Sequence, residues 1–119
     1  MSLVDDEEVV LTVTREILEN LGYIVLPASS GQAAISLFRK KHQEIALVIL
    51  DMIMPDLKGG QTYDQLKAIE SNVKVLLSSG YSIDGQAAQL IDKGCKAFIQ
   101  KPYTVIELSK KVREILEMP

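Results

Sequence analysis

The sequence predicts an α/β fold in which a five-stranded parallel sheet of strand order 2-1-3-4-5 carries helices on both faces. Five short apolar runs alternate with five amphipathic segments along the 119 residues, a pattern typical of repeated β-α units. The runs are nearly continuous rather than alternating, as expected of strands buried on both faces of a parallel sheet. Right-handed crossovers leave few topologies for five such units, and the flavodoxin-like order 2-1-3-4-5 is a common one.

The apolar runs predict strands at residues 3–5, 23–27, 47–50, 73–78 and 97–100. The amphipathic segments between them predict helices at residues 8–21, 31–41, 61–70, 84–93 and 105–117. In the last helix, apolar side chains recur at helical spacing, namely Val105, Leu108, Val112 and Ile115. This spacing predicts one apolar stripe that packs on the sheet.

Residues with capping preferences mark several helix ends. Gly22 and Gly94 follow the first and fourth helices, where a left-handed backbone conformation is common. Ser30 precedes the second helix as an N-cap residue. Thr104 and Glu107 have the spacing of a capping box at the start of the fifth helix. The helix boundaries therefore depend on local signals as well as on periodicity.

Length and composition indicate one compact domain over residues 1–119, with residues 1–3 resembling an expression leader. The chain is 47% hydrophobic, with a net charge of -3 and a pI near 5.1. This composition suits an adequate core but gives no electrostatic footprint for nucleic acid or an anionic membrane surface. The apolar runs are much shorter than the ~20 residues of a membrane span. The single cysteine, Cys95, excludes an internal disulfide and favours a reducing, cytoplasmic location.

Polar side chains follow the predicted strands where each strand ends. Asp5 and Asp6 follow the first strand, Asp51 the third, Ser79 the fourth and Lys101 the fifth. In this topology ligands bind at the carboxyl ends of the strands, between strands 1 and 3, so we expect these side chains to converge there. Each residue type alone is also typical of solvated turns and helix ends. The prediction therefore depends on their combination.

Adjacent carboxylates repel one another and need a compensating cation at neutral pH. Mg²⁺ prefers oxygen ligands, uses few carboxylates and keeps several waters, so Asp6 and Asp51 are its predicted protein ligands. Asp5 is expected to reach the ion through water, and the backbone carbonyl of Ile53 to complete the shell. Because the chain has one histidine and one cysteine, a zinc or iron centre is not supported. The histidine, His42, is interpreted as part of a solvated helix end.

Asp51 is the predicted nucleophile of this site. Carboxylates form acyl-phosphate intermediates, and phosphoryl transfer needs neutralisation of the equatorial oxygens more than covalent assistance. Lys101 would supply a compact positive charge, and Ser79 a hydrogen bond. The Lys101–Pro102 peptide bond is a candidate for the cis form, which would aim the lysine inward.

Together these residues resemble the receiver domain of two-component response regulators, over essentially the whole chain. The matching strings are VDDE at residues 4–7, DMIMP at 51–55 followed by a Gly-Gly pair, LSSGY at 77–81 and KPY at 101–103. The resemblance implies that Asp51 accepts a phosphoryl group from a histidine kinase or phosphotransfer domain. It also implies that Asp5 and Asp6 hold Mg²⁺ and that Lys101 contacts the phosphoryl group.

The resemblance further implies a conformational switch. Ser79 is the hydroxyl residue that moves toward the phosphoryl group. Phe98, three residues before Lys101, is the aromatic residue that rotates inward, with a plain core role as its alternative. The surface expected to change is the fourth helix, the fifth strand and the fifth helix, which is also a candidate homodimer surface. Its residues are Ile83, Gln86, Leu90, Lys93, Phe98 and Tyr103.

Two further strings bear on the parent protein and on turnover. LLSSGYS at residues 76–82 and GCKAFIQKPY at 94–103 resemble receivers of bacterial hybrid sensor histidine kinases, so we expect a hybrid-kinase receiver or a single-domain regulator. Ile53 and Tyr81 would flank the line along which water attacks the phosphoryl group. Their bulk predicts slow autodephosphorylation.

Two other functions compete with the phosphoacceptor interpretation. A Mg²⁺-dependent phosphatase with an aspartyl-phosphate intermediate typically needs a second acid two residues after the nucleophile, where this chain has Ile53. The isolated domain is therefore not expected to be an enzyme beyond its own phosphorylation and dephosphorylation. The remaining alternative is a pseudo-receiver that binds partners without phosphorylation, although such domains usually lack one of the acids or the lysine.

Overall fold

A parallel sheet of five strands forms the centre of the molecule. The computed structural model describes residues 1–80 and 85–119. Its strand order is β2-β1-β3-β4-β5, which confirms the predicted topology. The strands are Ser2–Val4 (β1), Leu26–Ala28 (β2), Val48–Asp51 (β3), Val75–Ser79 (β4) and Ala97–Gln100 (β5). The predicted boundaries of β5 are confirmed, and those of β1, β3 and β4 differ by one or two residues.

The helices are Glu8–Asn20 (α1), Gly31–Lys41 (α2), Gly59–Ile69 (α3), Gly85–Lys93 (α4) and Val105–Leu116 (α5), with a short 3-10 helix at His42–Glu44 after α2. The bounds of α2 are those predicted. Helix α3 begins two residues earlier than predicted, because the Gln61 side chain accepts a hydrogen bond from the N–H of Lys58, its N-cap residue. The predicted start of α4 at residue 84 lies outside the described residues.

Strand β2 begins later than the prediction of residues 23–27. The N–H of Tyr23 donates to the carbonyl of Leu18 at 3.1 Å, so this residue belongs to the C-terminal turn of α1. Regular pairing with β1 starts at Leu26, opposite Ser2. The edge strand is therefore only three residues long, with the exposed Pro27 at its centre.

Alternation along the strands sends side chains into two apolar cores, one on each face of the sheet. Val48, Leu50, Val75 and Leu77 face α2, α3 and α4, where Phe38, Tyr63 and Leu66 pack against them. Leu47, Ile49, Leu76 and Ile99 face α1 and α5, where they meet Leu18, Leu108, Val112 and Ile115. The predicted stripe on α5 is thus confirmed at Leu108, Val112 and Ile115, whereas Val105 is 48% exposed.

The predicted caps are present. Ser30 Oγ accepts from the N–H of Ala33, and Thr104 Oγ1 accepts from the N–H of Glu107, each at 3.0 Å. Gly22 and Gly94 have φ values of 97° and 130°. These contacts satisfy backbone groups that have no partner within the helix.

Residues 1–3 lie inside the fold. Met1, Ser2 and Leu3 are buried, and β1 pairs with both β2 and β3. The expectation that they come from an expression leader concerns their origin and stays a prediction, as does the single-domain organisation. Within the described residues, every helix is too short or too polar to cross a membrane.

The two glycines with positive φ provide a matched test of packing. An alanine Cβ at Gly94 would lie 2.7 Å from the Tyr63 hydroxyl, whereas one at Gly22 meets nothing within 4 Å. Both substitutions place an alanine at a positive φ, which strains the backbone. Only Gly94→Ala also brings its Cβ into collision with the buried Tyr63 side chain. We expect losses of about 1 kcal/mol for Gly22→Ala and about 2–3 kcal/mol for Gly94→Ala in urea unfolding. Equal losses would contradict this packing account.

Candidate functional site

Asp51 is the last residue of β3 and is 3% exposed at the carboxyl edge of the sheet. Strand register sets Asp51 beside Ser78 of β4, and the N–H of Ile53 donates to Asp51 Oδ1 at 3.2 Å. Burial raises the pKa of Asp51 to about 6, although the Ile53 hydrogen bond and the charge of Lys101 act in the opposite direction. The site therefore holds a carboxylate that is poorly solvated when ionised.

The side chain of Lys101, the residue that follows β5, reaches the carboxylate of Asp51. Its Nζ lies 2.6 Å from Asp5 Oδ2 and 3.3 Å from Asp51 Oδ2. Burial alone would lower the pKa of Lys101, but the hydrogen bond to Asp5 and the charge of Asp51 together raise it. The Lys101–Pro102 peptide bond is cis, as the sequence suggested. One ammonium group thus contacts both buried carboxylates.

Asp5, Asp6 and Asp51 each bring a carboxylate oxygen within 4.8 Å of the other two. Asp5 is buried, and its Oδ1 accepts from the N–H of Glu7 at 2.9 Å while its Oδ2 meets Lys101. Both oxygens of Asp51 are also engaged, by the Ile53 N–H and by Lys101 Nζ, but at 3.2 and 3.3 Å. The exposed Asp6 and the less tightly held Asp51 are therefore better suited than Asp5 to direct contact with a cation. Three acidic oxygens with one lysine fit a hard cation such as Mg²⁺.

The loop of residues 52–58 follows Asp51 and is closed by contacts between its own two ends. Ile53 and Lys58 form an isolated antiparallel bridge, and the N–H of Gly59 donates to the Met52 carbonyl at 2.9 Å. A side chain at Gly59 would bring its Cβ within 2.9 Å of Met52 Cα. The Ile53 side chain is 58% exposed. This close backbone approach brings the start of α3 directly against the end of β3.

The predicted switch residues differ in environment. Ser79 ends β4, is 4% exposed, and its carbonyl accepts from the N–H of Lys101 at 2.7 Å. Phe98 is half-buried in β5 opposite Leu77 and packs against the core beneath α4. Tyr81 and Ile83 lie outside the described residues. Their predicted roles, and those of Ser79 and Phe98 in switching, stay predictions.

One member of the predicted changing surface is misplaced. Leu90 is 5% exposed and belongs to the core that Phe38 and Tyr63 form, because the inward face of α4 carries it. On α5, Ile106, which is not among the predicted surface residues, is 78% exposed. It stands outside the predicted apolar stripe of α5, and this helical phase is the available signal for its exposure.

Two structural contacts near the site had no signal in the sequence pattern, because their partners are distant in the chain. Asp56 accepts hydrogen bonds from two backbone N–H groups at the start of α2. The hydroxyl groups of Thr14 and Tyr103 lie 3.1 Å apart and join α1 to the segment after Lys101. Away from the site, at the C-terminal end of α2, His42 is not simply solvated, since its ring lies 5.8 Å from that of Phe38, four residues earlier.

A groove of about 550 Å³ opens beside Lys101, between α1 and the segment before α5. Its walls are largely apolar and include Val9, Val13 and Pro102. Val9 is 76% exposed and Val13 is 50% exposed. Exposed apolar side chains beside Lys101 are typical of a contact surface for another macromolecule.

Comparison with known proteins decides the family. The family model described as the response regulator receiver domain matches residues 1–113. This chain belongs to that family. This receiver domain is 30% identical over 115 residues to the sensor kinase CckA of Brucella abortus. The aligned region covers 97% of this chain but only 12% of that kinase. It is 26% identical over 116 residues to the polar-differentiation response regulator DivK of Brucella ovis, covering 96% of this chain and 93% of DivK.

A solved receiver domain from Clostridium thermocellum has the same fold. It superimposes with a TM-score of 0.92 at 29% identity, over 97% of this receiver domain and 91% of the other chain. The flavodoxin-like arrangement predicted from the sequence is therefore confirmed by topology and by comparison. This receiver domain is a module of two-component signalling, in a family that includes regulators and regions of sensor kinases.

Substituting Asp51 tests how much folding free energy is lost by burying its carboxylate. Raising its pKa from 3.8 to about 6 corresponds to roughly 3 kcal/mol lost from the folded state at neutral pH. We expect Asp51→Asn to increase the free energy of urea unfolding by about 1–3 kcal/mol at neutral pH without divalent cations. The folded pKa exceeds the unfolded one, so the wild-type penalty is absent below pH 3.8, grows as pH rises to about 6 and is complete above that pH.

Asp92→Asn is the matched control for this measurement, because Asp92 is an exposed acid on α4 and its substitution changes the net charge equally. We expect a change within about 0.5 kcal/mol for this control. Destabilisation by Asp51→Asn, or an equal gain in both variants, would contradict the assigned cost of burial.

Proposed function

We propose that this receiver domain accepts a phosphoryl group on Asp51 from a phosphohistidine in a histidine kinase or phosphotransfer domain. The observation that carries the proposal is the contact of one ammonium group, that of Lys101, with two buried carboxylates, Asp5 and Asp51. This arrangement supplies a nucleophile and a fixed positive charge within one contact distance. Both are needed where a dianionic group is transferred.

The transfer step follows from the chemistry of the two partners. A carboxylate oxygen of Asp51 attacks phosphorus, a P–O bond forms, and the P–N bond to the donor imidazole breaks. The electron pair of that bond returns to the imidazole nitrogen, which takes up a proton from solvent. Lys101 then lies beside the new phosphoryl oxygens, where its charge offsets the negative charge that accumulates. Ser79, at the end of β4, would donate a hydrogen bond to one of these oxygens.

Asp6, Asp51 and the Ile53 carbonyl would hold Mg²⁺, with Asp5 acting through a water molecule. The convergence of three carboxylates, one of them with a pKa raised by burial, supports this assignment. When bound, the ion neutralises charge on the carboxylates and on the phosphoryl oxygens. It would therefore also relieve the cost of keeping Asp51 ionised.

The output proposed for the domain is a change in the surface made by α4, β5 and α5. A dianion at Asp51 would bias two arrangements of that surface, with Ser79 and Phe98 as the switch residues. Gln86, Lys93 and Tyr103 belong to this surface, and the exposed Ile106 extends it on α5. The same surface is the candidate for homodimer formation.

The apolar groove beside Lys101 supports a protein as the phosphoryl donor. Val9 and Val13 present apolar side chains next to the acceptor, where a donor helix would bring its phosphohistidine. The similarity to both a long sensor kinase and the single-domain DivK leaves two parent architectures, a hybrid kinase and a free regulator. A cytoplasmic location suits either one.

The alternatives receive less support. A pseudo-receiver has no need of the three acids and the lysine that meet here. A phosphatase would need an acid where the exposed Ile53 lies beside Asp51. The domain is accordingly proposed to catalyse only its own phosphorylation and dephosphorylation.

Intact mass after treatment with acetyl phosphate tests the acceptor chemistry. We expect a gain of one phosphoryl group when Mg²⁺ is present, and little gain when it is chelated. Asp51→Asn should remove the gain, whereas Asp92→Asn should retain it because Asp92 is exposed on α4. If wild-type protein gained no mass in either condition, the pseudo-receiver would become the better proposal.

A second experiment separates donor docking from acceptor chemistry. Val13→Glu places a charge on the apolar groove, which should reduce the rate of transfer from a phosphorylated histidine kinase by about tenfold or more. Acetyl phosphate needs no docking surface, so its reaction should be unchanged. Ile24→Glu is the control, since Ile24 is 81% exposed but precedes β2 at the opposite end of the strands. Equal transfer rates for the two variants would argue against the groove.

A further inference from the structure

Asp56 caps a helix to which it does not belong. Its Oδ1 accepts from the N–H of Gly31 at 3.0 Å, and its Oδ2 accepts from the N–H of Gln32 at 2.9 Å. Both N–H groups lie in the first turn of α2, where the helix dipole favours a negative charge. The hydrogen bonds from Gln32 and Gly31 lower the pKa of Asp56. The carboxylate is therefore held in its charged form at the start of α2.

Helix α2 has its own cap in addition to Asp56. Ser30 Oγ accepts from the N–H of Ala33, which is the ordinary arrangement at a helix N-terminus. Asp56 takes two other N–H groups of the same turn and comes from a loop more than twenty residues away. Its contribution thus differs from that of Ser30, because it joins two separate parts of the chain.

The segment joined to α2 is the loop that follows the phosphoacceptor strand. The next residue, Leu57, packs so closely on α2 that a Cβ at Gly31 would lie 2.8 Å from Leu57 Cβ. The base of the loop is closed by the Ile53–Lys58 bridge. The far end of the loop is therefore anchored on α2, and its near end on β3.

This loop also carries the backbone groups of Ile53, of which the N–H contacts Asp51. The Ile53 N–H donates to Asp51 Oδ1 at 3.2 Å, and its carbonyl is the proposed backbone ligand of Mg²⁺. The orientation of one peptide group depends on how the rest of a short closed loop is held. Groups that orient a metal ligand typically change metal affinity when they are removed.

We propose that Asp56 is a positioning residue for the metal site, which anchors the loop of residues 52–58 on α2 and so fixes the Ile53 carbonyl before Mg²⁺ binds. This inference rests on the proposed function, since it assigns the same Mg²⁺ site. Without the anchor, binding of the ion must also order the loop, and this ordering cost weakens affinity. Asp56 touches neither the ion nor the phosphoryl group.

The test compares Asp56→Ala, Asp56→Asn and Ser30→Ala in titrations with Mg²⁺ alone. Because the chain has no tryptophan, the readout is calorimetry together with the NMR shifts of the Ile53 and Gln32 amides. We expect Asp56→Ala to raise the dissociation constant about tenfold, the lower end of the range for groups that orient metal ligands. Asp56→Asn should recover part of the affinity, because an amide oxygen accepts one of the two bonds.

Ser30→Ala is the matched control for helix stability. It removes a cap from the same turn of α2 but leaves the loop anchor intact, so its Mg²⁺ affinity should stay within about twofold of wild type. In acetyl phosphate reactions, Asp56→Ala should need more Mg²⁺ for half-maximal rate yet reach the wild-type maximum. Urea midpoints of Asp56→Ala and Ser30→Ala should fall similarly.

The outcomes separate this inference from the function on which it rests. Wild-type affinity in Asp56→Ala, or an equal loss of affinity in Ser30→Ala, would overturn the positioning role while leaving the metal site in place. Failure of the wild-type domain to bind Mg²⁺ would overturn both. A reduced maximal rate at saturating Mg²⁺ would also overturn it, since a positioning residue acts here only through the ion's site.

Discussion

The contact of Lys101 with Asp5 and Asp51 is the interaction on which the carboxyl edge of the sheet depends. The Lys101 side chain contacts Asp5, which follows β1, and Asp51, which ends β3. Its backbone N–H donates to the carbonyl of Ser79 at the end of β4. The buried carboxylates of Asp5 and Asp51, with oxygens within 4.8 Å of each other, would repel each other without a shared cation. Removing the lysine would leave both carboxylates buried without their shared cation, at a cost of about 3–5 kcal/mol, so the lysine is needed for the edge to remain compact.

Burial of Asp51 at this contact has a cost in stability. Asp51 has a raised pKa because burial outweighs the attraction of Lys101 and the Ile53 hydrogen bond. Under the proposed function, a cation held beside Asp51 would offset part of this cost. The cost is offset by the two apolar cores on the faces of the sheet.

The sequence predicted what is encoded locally. The bounds of α2 and β5, the caps at Ser30 and Thr104 and the convergence of charged residues at one sheet edge follow from periodicity, capping and topology. What it could not predict depends on partners distant in the chain. Strand β2 starts late because the turn after α1 uses the N–H of Tyr23, and Asp56 finds its partners on α2. The resemblance places Leu90 on the changing surface, whereas in the structure Leu90 and Ala87 form the buried face of α4.

The short strand β2 affects how readily copies of the domain aggregate at high concentration. This strand forms one open edge of the sheet, and Pro27 at its centre has no N–H to offer to an incoming strand. Short edges that contain proline resist pairing with the strands of other molecules. Copies of the domain, whether free or tethered to a longer chain, can therefore meet at high local concentration without joining their sheets along this edge into aggregates.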